Sequence, residues 1–235
     1  MVLVGIVGAL GEGKTLTLAY MVWNNYYLKK REIWSNITIY GIPFYKVETI
    51  EHLKKMIPEK VSFKQKLNPK EKFFAGDELW KWLNSRTIGK GRKEKQEIIN
   101  RILLASRKRH VTIAYTTQSL HQVDKRIRDV TDLIFYPQLS VDNSYCRVLV
   151  FNGPKPSFAS MQRPFYFNTE PIFAIYDTYE NPVEIDWGSE EEALRKKYIP
   201  VYKNPAWLHY LMKEKGLTKQ QAIEYSKRIE ESLKV

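Results

Sequence analysis

The chain has 235 residues, 38 Lys and Arg against 26 Asp and Glu, and a formal net charge of +12. This length accommodates one large domain, or one domain with a small appendage, and the basic excess favours a polyanionic partner, most simply nucleic acid. The single cysteine, Cys146, excludes an internal disulfide and a cysteine metal cluster and fits a reducing intracellular setting; no run of ~18 apolar residues is present to span a membrane, and Met1–Val7 lacks the basic n-region and the length of a signal peptide.

Val2-Leu3-Val4-Gly5-Ile6-Val7 is a short apolar run with β-branched residues and reads as a buried strand. Gly8-Ala9-Leu10-Gly11-Glu12-Gly13-Lys14-Thr15 follows it and fits the phosphate-loop pattern G-x-x-x-x-G-K-S/T without a gap. Leu16 to Trp23 continues as a good helix interior, and the helix is expected from Lys14 to about Lys30. Strand, glycine loop and helix together predict a nucleoside triphosphate site. The glycines let successive N–H groups face one phosphate group, and the helix N-terminus adds positive partial charge there. Gly8, Gly11, Glu12, Gly13 and Leu16 are the expected surround. Lys14 is expected to bridge the β- and γ-phosphates, and Thr15 to ligate Mg2+.

Ile33 to Tyr40 reads as a second strand stopped by Gly41-Ile42-Pro43, and Val47 to Ile57 as a short helix ending before Pro58. Lys60 to Lys72 is a basic loop. Lys72-Phe73-Phe74-Ala75-Gly76-Asp77-Glu78 is a short strand ending in two acids, the expected second half of an ATP site. Asp77 is the candidate for the Mg2+ shell, and Glu78 the candidate base for the attacking water. Gly76 is unusual inside a strand and would permit a close approach of backbone or ligand. Trp80 and Trp82 read as core packing rather than base-stacking platforms. Asn84 to Lys93 carries two glycines, four cations and no acid. It reads as a basic loop suited to a phosphate backbone, with Lys90, Arg92 and Lys93 as candidate DNA contacts.

Glu94 to Lys108 is expected to be a helix with Ile98, Ile99, Ile102 and Leu103 as its apolar stripe. Val111 to Thr117 is a β-branched buried strand. Gln118 closes it at the end where ligands bind in open parallel sheets, making it a candidate γ-phosphate sensor. Leu120 to Arg128 is a short helix, and Leu133 to Tyr136 a strand stopped by Pro137. Three short strands follow, Tyr145–Phe151, Phe165–Phe167 and Ile172–Tyr176, and without intervening helices they should pair antiparallel along one sheet edge. A helix is expected over 190–197, another from Asn204 to Lys215 with Pro205 at its first position and Gly216 as its stop. Thr218 to Lys234 is the last, opened by the capping box Thr218/Gln221, with Ala222, Tyr225, Ile229 and Leu233 on its apolar face. Packing or subunit contact explains these tail helices better than a helix-turn-helix reader. The expected fold class is thus α/β, divided as 1–180 and a helical appendage over 181–235.

GALGEGKT, KFFAGDELWKWLNSR and SRKRHVTIAYTTQSLHQVDKRIRDVTDLIFYP together resemble the FtsK–HerA superfamily of P-loop ATPases. The likeness leans towards the genome-packaging ATPases of membrane-containing, double-jelly-roll viruses and, more distantly, to the Zot-like proteins of filamentous phages. It covers roughly 1–137, and its third stretch is the specific part. Gly76 departs from the pattern, where a larger apolar residue is usual. The resemblance implies a RecA-like motor using ATP and Mg2+, a ring homo-oligomer, a hexamer by expectation, and double-stranded DNA as cargo. It further implies a host-cytoplasmic or capsid-vertex location, with capsid or viral membrane proteins as docking partners. A cation supplied in trans to the γ-phosphate is expected in such rings. Arg126 and Arg128 are the first candidates, Arg86, Arg107 and Arg109 the others. The abundance of Lys, Glu and Tyr fits a thermophilic source. Two rival readings are a Zot-type assembly factor acting on protein, expected to carry a membrane span, and a small-molecule kinase, which has no need of the basic loop.

Overall fold

The structure, a computed structural model, describes residues 2–57, 70–79, 81, 96–97, 99–100, 102, 110–180 and 194–234. In chain order its elements are β1 (Leu3–Val7), α1 (Lys14–Tyr27), β2 (Glu32–Ser35), β3 (Phe44–Lys46), α2 (Ile50–Met56), β4 (Lys72–Gly76), β5 (Val111–Thr117), α3 (Lys125–Asp129), β6 (Leu133–Leu139), β7 (Tyr145–Asn152), β8 (Met161–Asn168), α4 (Glu170–Phe173), β9 (Lys196–Lys197), α5 (Pro205–Glu214) and α6 (Lys219–Ser232). The strands form one sheet in the order β8-β7-β6-β1-β5-β4-β2-β3-β9. From β6 to β3 all neighbours are parallel, whereas β7, β8 and β9 extend the two edges antiparallel.

The central strands are unbroken apolar runs because both faces of the sheet are covered. Alternate side chains sort cleanly between two cores. Val4, Ile6, Ile33, Phe73 and Ala114 pack beneath α1 with Leu18 and Val22. Leu3, Trp34, Phe74, Ile113 and Tyr115 pack on the other face with Leu53, Val123 and Ile127. Ile99 and Ile102 join that second core, as their stripe predicts. A third cluster gathers Trp207, Leu211 and Ala222 of the tail around Tyr40, Ala174 and Val201. Gly5 is required by packing, since a β-carbon there would stand 2.9 Å from the hydroxyl of Tyr115.

Five local expectations are corrected. The strand expected from Ile33 to Tyr40 ends at Ser35, and Ile39 and Tyr40 make only isolated bridges. Strand β6 runs through Pro137 to Leu139; its pairing with β1 ends at Phe135, so beyond that point β7 alone among the described strands pairs with it and a missing N–H is tolerated. Ile172–Tyr176 is not a strand. Glu170 starts the short helix α4, with Pro171 in its first turn, and Tyr176 makes one isolated bridge to Ile39. The helix expected over 190–197 is a strand at its end, where Lys196 and Lys197 pair with Tyr45 and Phe44; residues 190–193 lie outside the described set. Leu120 to Arg128 splits into a 3-10 turn, Leu120–Gln122, and α3, with Asp124 capping α3. The capping box Thr218/Gln221 and the N1 proline of α5 stand as expected.

Candidate phosphate-binding site

The parallel register brings the site together. Val7 pairs with Thr117 and Gly76 with Tyr115, so β1, β5 and β4 end at one edge of the sheet, where ligands of open α/β sheets sit. The glycine loop leaves β1 there. Gly11 and Gly13 adopt φ of 82° and 87°, a left-handed backbone that a β-carbon would strain. The Glu12 carboxylate accepts from the Ala9 N–H at 2.6 Å and the Lys14 ammonium donates to the Ala9 carbonyl at 2.7 Å. Helix α1 begins at Lys14 with no side-chain cap and no acid in its first turn. Its leading N–H groups are therefore of the kind that serve an anion.

Asp77 is the centre of the polar network and is only 5% exposed. Its carboxylate accepts from the hydroxyls of Thr15, at 3.1 and 3.2 Å, and of Thr116, at 2.7 Å. Its backbone is gripped from β2: Asn36 donates to the Asp77 carbonyl and accepts from the Asp77 N–H, both at 2.7 Å. Burial pushes the Asp77 carboxyl up, and the hydroxyls of Thr116 and Thr15 oppose this only in part. Burial lowers the Lys14 ammonium, with Asp77, Glu12 and Glu78 pulling the other way. A buried acid beside a threonine hydroxyl, facing a lysine, is a donor set that suits a hard divalent cation and a phosphate chain. Thr15 and Asp77 offer such a cation oxygen ligands, and water and phosphate oxygens would complete its shell.

Glu78 follows in a left-handed conformation, φ 47°, rare for a non-glycine residue. Its N–H donates to Thr116 Oγ1 at 2.7 Å, and its carboxylate pairs with Lys81. One hydroxyl on β5 thus ties both acids into place. Asp77, Glu78 and Thr116 line a cavity of about 390 Å3 with Gly11, Gly13, Lys14, Thr15 and Leu16. The far wall includes Leu139, Phe173, Tyr176 and Glu180. Glu180 is fixed by Thr38, whose N–H and hydroxyl donate to it at 2.7 and 2.8 Å, and by an ion pair with Lys46.

Other expected residues stand apart. Gly8 and Glu12 shape the loop from behind rather than lining the cavity. Gln118 is exposed and borders the next cavity, about 930 Å3, together with Arg128, Lys125 and Tyr136. Arg126 is held by Asp124 through two hydrogen bonds of 2.9 and 3.0 Å. Arg128 reaches His121 Nδ1 at 3.3 Å. Lys90, Arg92 and Lys93, and the alternatives Arg86, Arg107 and Arg109, lie outside the described residues. Gly76 makes room for a side chain rather than a ligand, since a β-carbon there would stand 3.2 Å from Leu79. Thr116 and Asn36 went unnoticed in the sequence. Asn36 follows directly on the end of a parallel strand, a position that could have flagged it. Thr116 looks like one more β-branched strand residue.

No protein-family model and no curated protein matches the sequence. Solved structures do resemble it. The N-terminal domain of zonular occludens toxin from Neisseria meningitidis superposes with a TM-score of 0.50 at 18% identity, over 75% of this chain and 98% of that one. The genome-packaging NTPase of Sulfolobus turreted icosahedral virus 2 gives 0.42 at 10% identity, over 71% and 96%. A KaiC-like protein from Pyrococcus horikoshii gives 0.36 at 12%, over 71% and 85%. At such identities the likeness is one of fold, and the fold is that of a RecA-like P-loop ATPase: mixed α/β, with a mostly parallel central sheet.

Proposed function

We propose that this chain hydrolyses ATP and uses the energy to move double-stranded DNA, as a ring-shaped motor that packages a viral genome into a preformed capsid. The observation that carries the ATP reading is the meeting of Lys14, Thr15, Asp77 and Thr116 around one cavity at the end of β1, β5 and β4. ATP supplies the phosphoanhydride, and the protein supplies positioning and charge. Lys14 offsets negative charge at the β- and γ-phosphates, with the N–H groups of the loop and of α1. Thr15 and Asp77 would hold Mg2+, and the cation would offset charge on the phosphates. Glu78 orients the attacking water and takes its proton. Gln118 closes β5 but lines the neighbouring cavity rather than the phosphate cavity, so a sensing role for it requires its side chain to swing across. Arg128 is the better trans cation of its pair, because Arg126 would first have to leave Asp124.

DNA as cargo rests on the net charge of +12, the basic loop and the resemblance of the three motif stretches. The fold match to the zonular occludens toxin domain supports a second reading, a nucleotide-switched assembly or secretion ATPase acting on protein. ATP turnover with and without double-stranded DNA, at low and moderate salt, separates them. Strong stimulation that fades with salt is expected of the motor; turnover indifferent to DNA sinks it in favour of the second. Glu78→Gln should abolish turnover and keep ATP binding. Unchanged turnover would remove Glu78 from the chemistry.

A further inference from the structure

A second cavity adjoins the phosphate cavity. Its volume is about 680 Å3, and Phe173 and Thr178 form walls common to both. That volume lies within the range of small-molecule sites, ~300–1,000 Å3. Its position is informative. In the sheet β5 and β4 lie to one side of β1, and β6 to the other. Thr116, Asp77 and Glu78, the groups suited to the cation and the attacking water, all stand on the β5–β4 side. With its γ end at these groups, a bound triphosphate would run back along the glycine loop towards β6, whose last residue, Leu139, lines the phosphate cavity beside Gly13. The second cavity reaches the turn after β6, at Asp142, Asn143 and Ser144.

Helix α5 gives that cavity a prepared flat surface. Trp207 is 2% exposed. Its backbone N–H donates to Asn204 Oδ1 at 3.2 Å and its indole N–H to Ser226 Oγ at 3.1 Å. Tyr210 stacks on it, with ring centroids 5.5 Å apart and planes 20° apart. Tyr210 lines the cavity and remains 36% exposed. A tyrosine whose plane is set by a buried, doubly bonded tryptophan loses little freedom on receiving a second ring.

We infer that this second cavity holds the nucleobase of the bound nucleotide, stacked on Tyr210, so that the C-terminal helix α5 forms part of the nucleotide site. The inference rests on the reading of the glycine loop as a triphosphate site. Stacking of this type is a generic aromatic contact with every base; it supplies affinity for the nucleoside beyond that of the phosphates.

The test is calorimetric titration of the full chain, with Mg2+ present, using the β,γ-imido analogue of ATP and, separately, inorganic tripolyphosphate. The wild type should bind the analogue at least about tenfold more tightly than tripolyphosphate. Tyr210→Ala should weaken the analogue about tenfold and leave tripolyphosphate unchanged, with Tyr210→Phe restoring the affinity. Thr178 is exposed, so Thr178→Trp narrows the wall common to both cavities without touching the core, and it should weaken the analogue more than tripolyphosphate. Equal affinities of the wild type for the two ligands would overturn the inference. So would variants that weaken both ligands alike, or neither. A wild type that binds neither ligand would instead defeat the triphosphate reading beneath it.

Discussion

At the scale of single residues, Asp77 is the group whose environment says most about chemistry. It is buried, no cation among the described residues is in contact with it, and its bonds are with neutral hydroxyls and an amide. Because the folded chain holds the Asp77 proton to higher pH than the unfolded chain does, its contribution to stability is present at acid pH and fades as pH rises through the raised value. A divalent cation offsets that loss only where Asp77 is ionised. Thermal melts at pH 5 and pH 8, with and without Mg2+ and nucleotide, should show a larger stabilising increment at pH 8. Asp77→Asn should melt higher than wild type in metal-free buffer at pH 8 and lose the Mg2+-dependent increment; equal increments in the two proteins would contradict the assignment. Thr116 is the second test. Thr116→Val removes a donor to Asp77 and the acceptor of the Glu78 N–H, leaving a half-buried amide unpaired. The expected cost is about 1–3 kcal/mol of stability, with turnover falling further than ATP affinity. Unaltered turnover would make Thr116 a packing residue only.

At the scale of elements, the tail is clasped to the site it borders. Asn204 caps α5 and donates to the carbonyls of Ala174 and Tyr176, at 3.0 and 2.8 Å, and Tyr176 lines the phosphate cavity. Further along, the Trp23 indole of α1 donates to the Leu233 carbonyl at 2.9 Å, and Leu233 packs in the principal core. Loss of one cap and two buried carbonyl partners should cost about 2–4 kcal/mol. Asn204→Ala is therefore expected to lower the urea midpoint at unchanged slope and to weaken nucleotide binding in parallel. A lowered midpoint with intact nucleotide affinity would show that the tail supports the fold but not the site.

For the whole molecule, the excess of positive charge is the property that bears on cargo. If the basic loop grips phosphates, replacing Lys90, Arg92 and Lys93 together with alanine should raise the DNA concentration needed for half-maximal stimulation of turnover. It should also flatten the salt dependence, by about 0.9 in logarithmic slope for each DNA phosphate that the variant no longer neutralises. Turnover without DNA should stay as it was. An unchanged slope would move the DNA-binding surface elsewhere on the molecule. No helix among the described residues is long and apolar enough to cross a membrane.

What could be read from sequence alone was whatever depends on neighbours along the chain. The loop from Gly8 to Thr15, the buried strands β1, β4 and β5, the helix α1 and the capping box of α6 each follow from local pattern, because backbone freedom, apolar runs and caps act over a few residues. That Thr15 and Asp77 belong to one site follows from motif and resemblance, and the Thr15 hydroxyl bonds the Asp77 carboxylate. Interactions between distant segments were decided by tertiary structure. Asn36 grips Asp77 from 41 residues away and Thr116 bonds it from 39, and only the strand order, with β5 between β1 and β4, sets that hydroxyl among the loop and the two acids. Pro137 sits in a strand because one side of β6 is free there, Lys196 and Lys197 form a strand because β3 offers an edge, and Gln118 faces a different cavity from Thr116 because the backbone has turned away beyond β5. None of these is encoded in a local pattern: each depends on which strand the sheet places alongside.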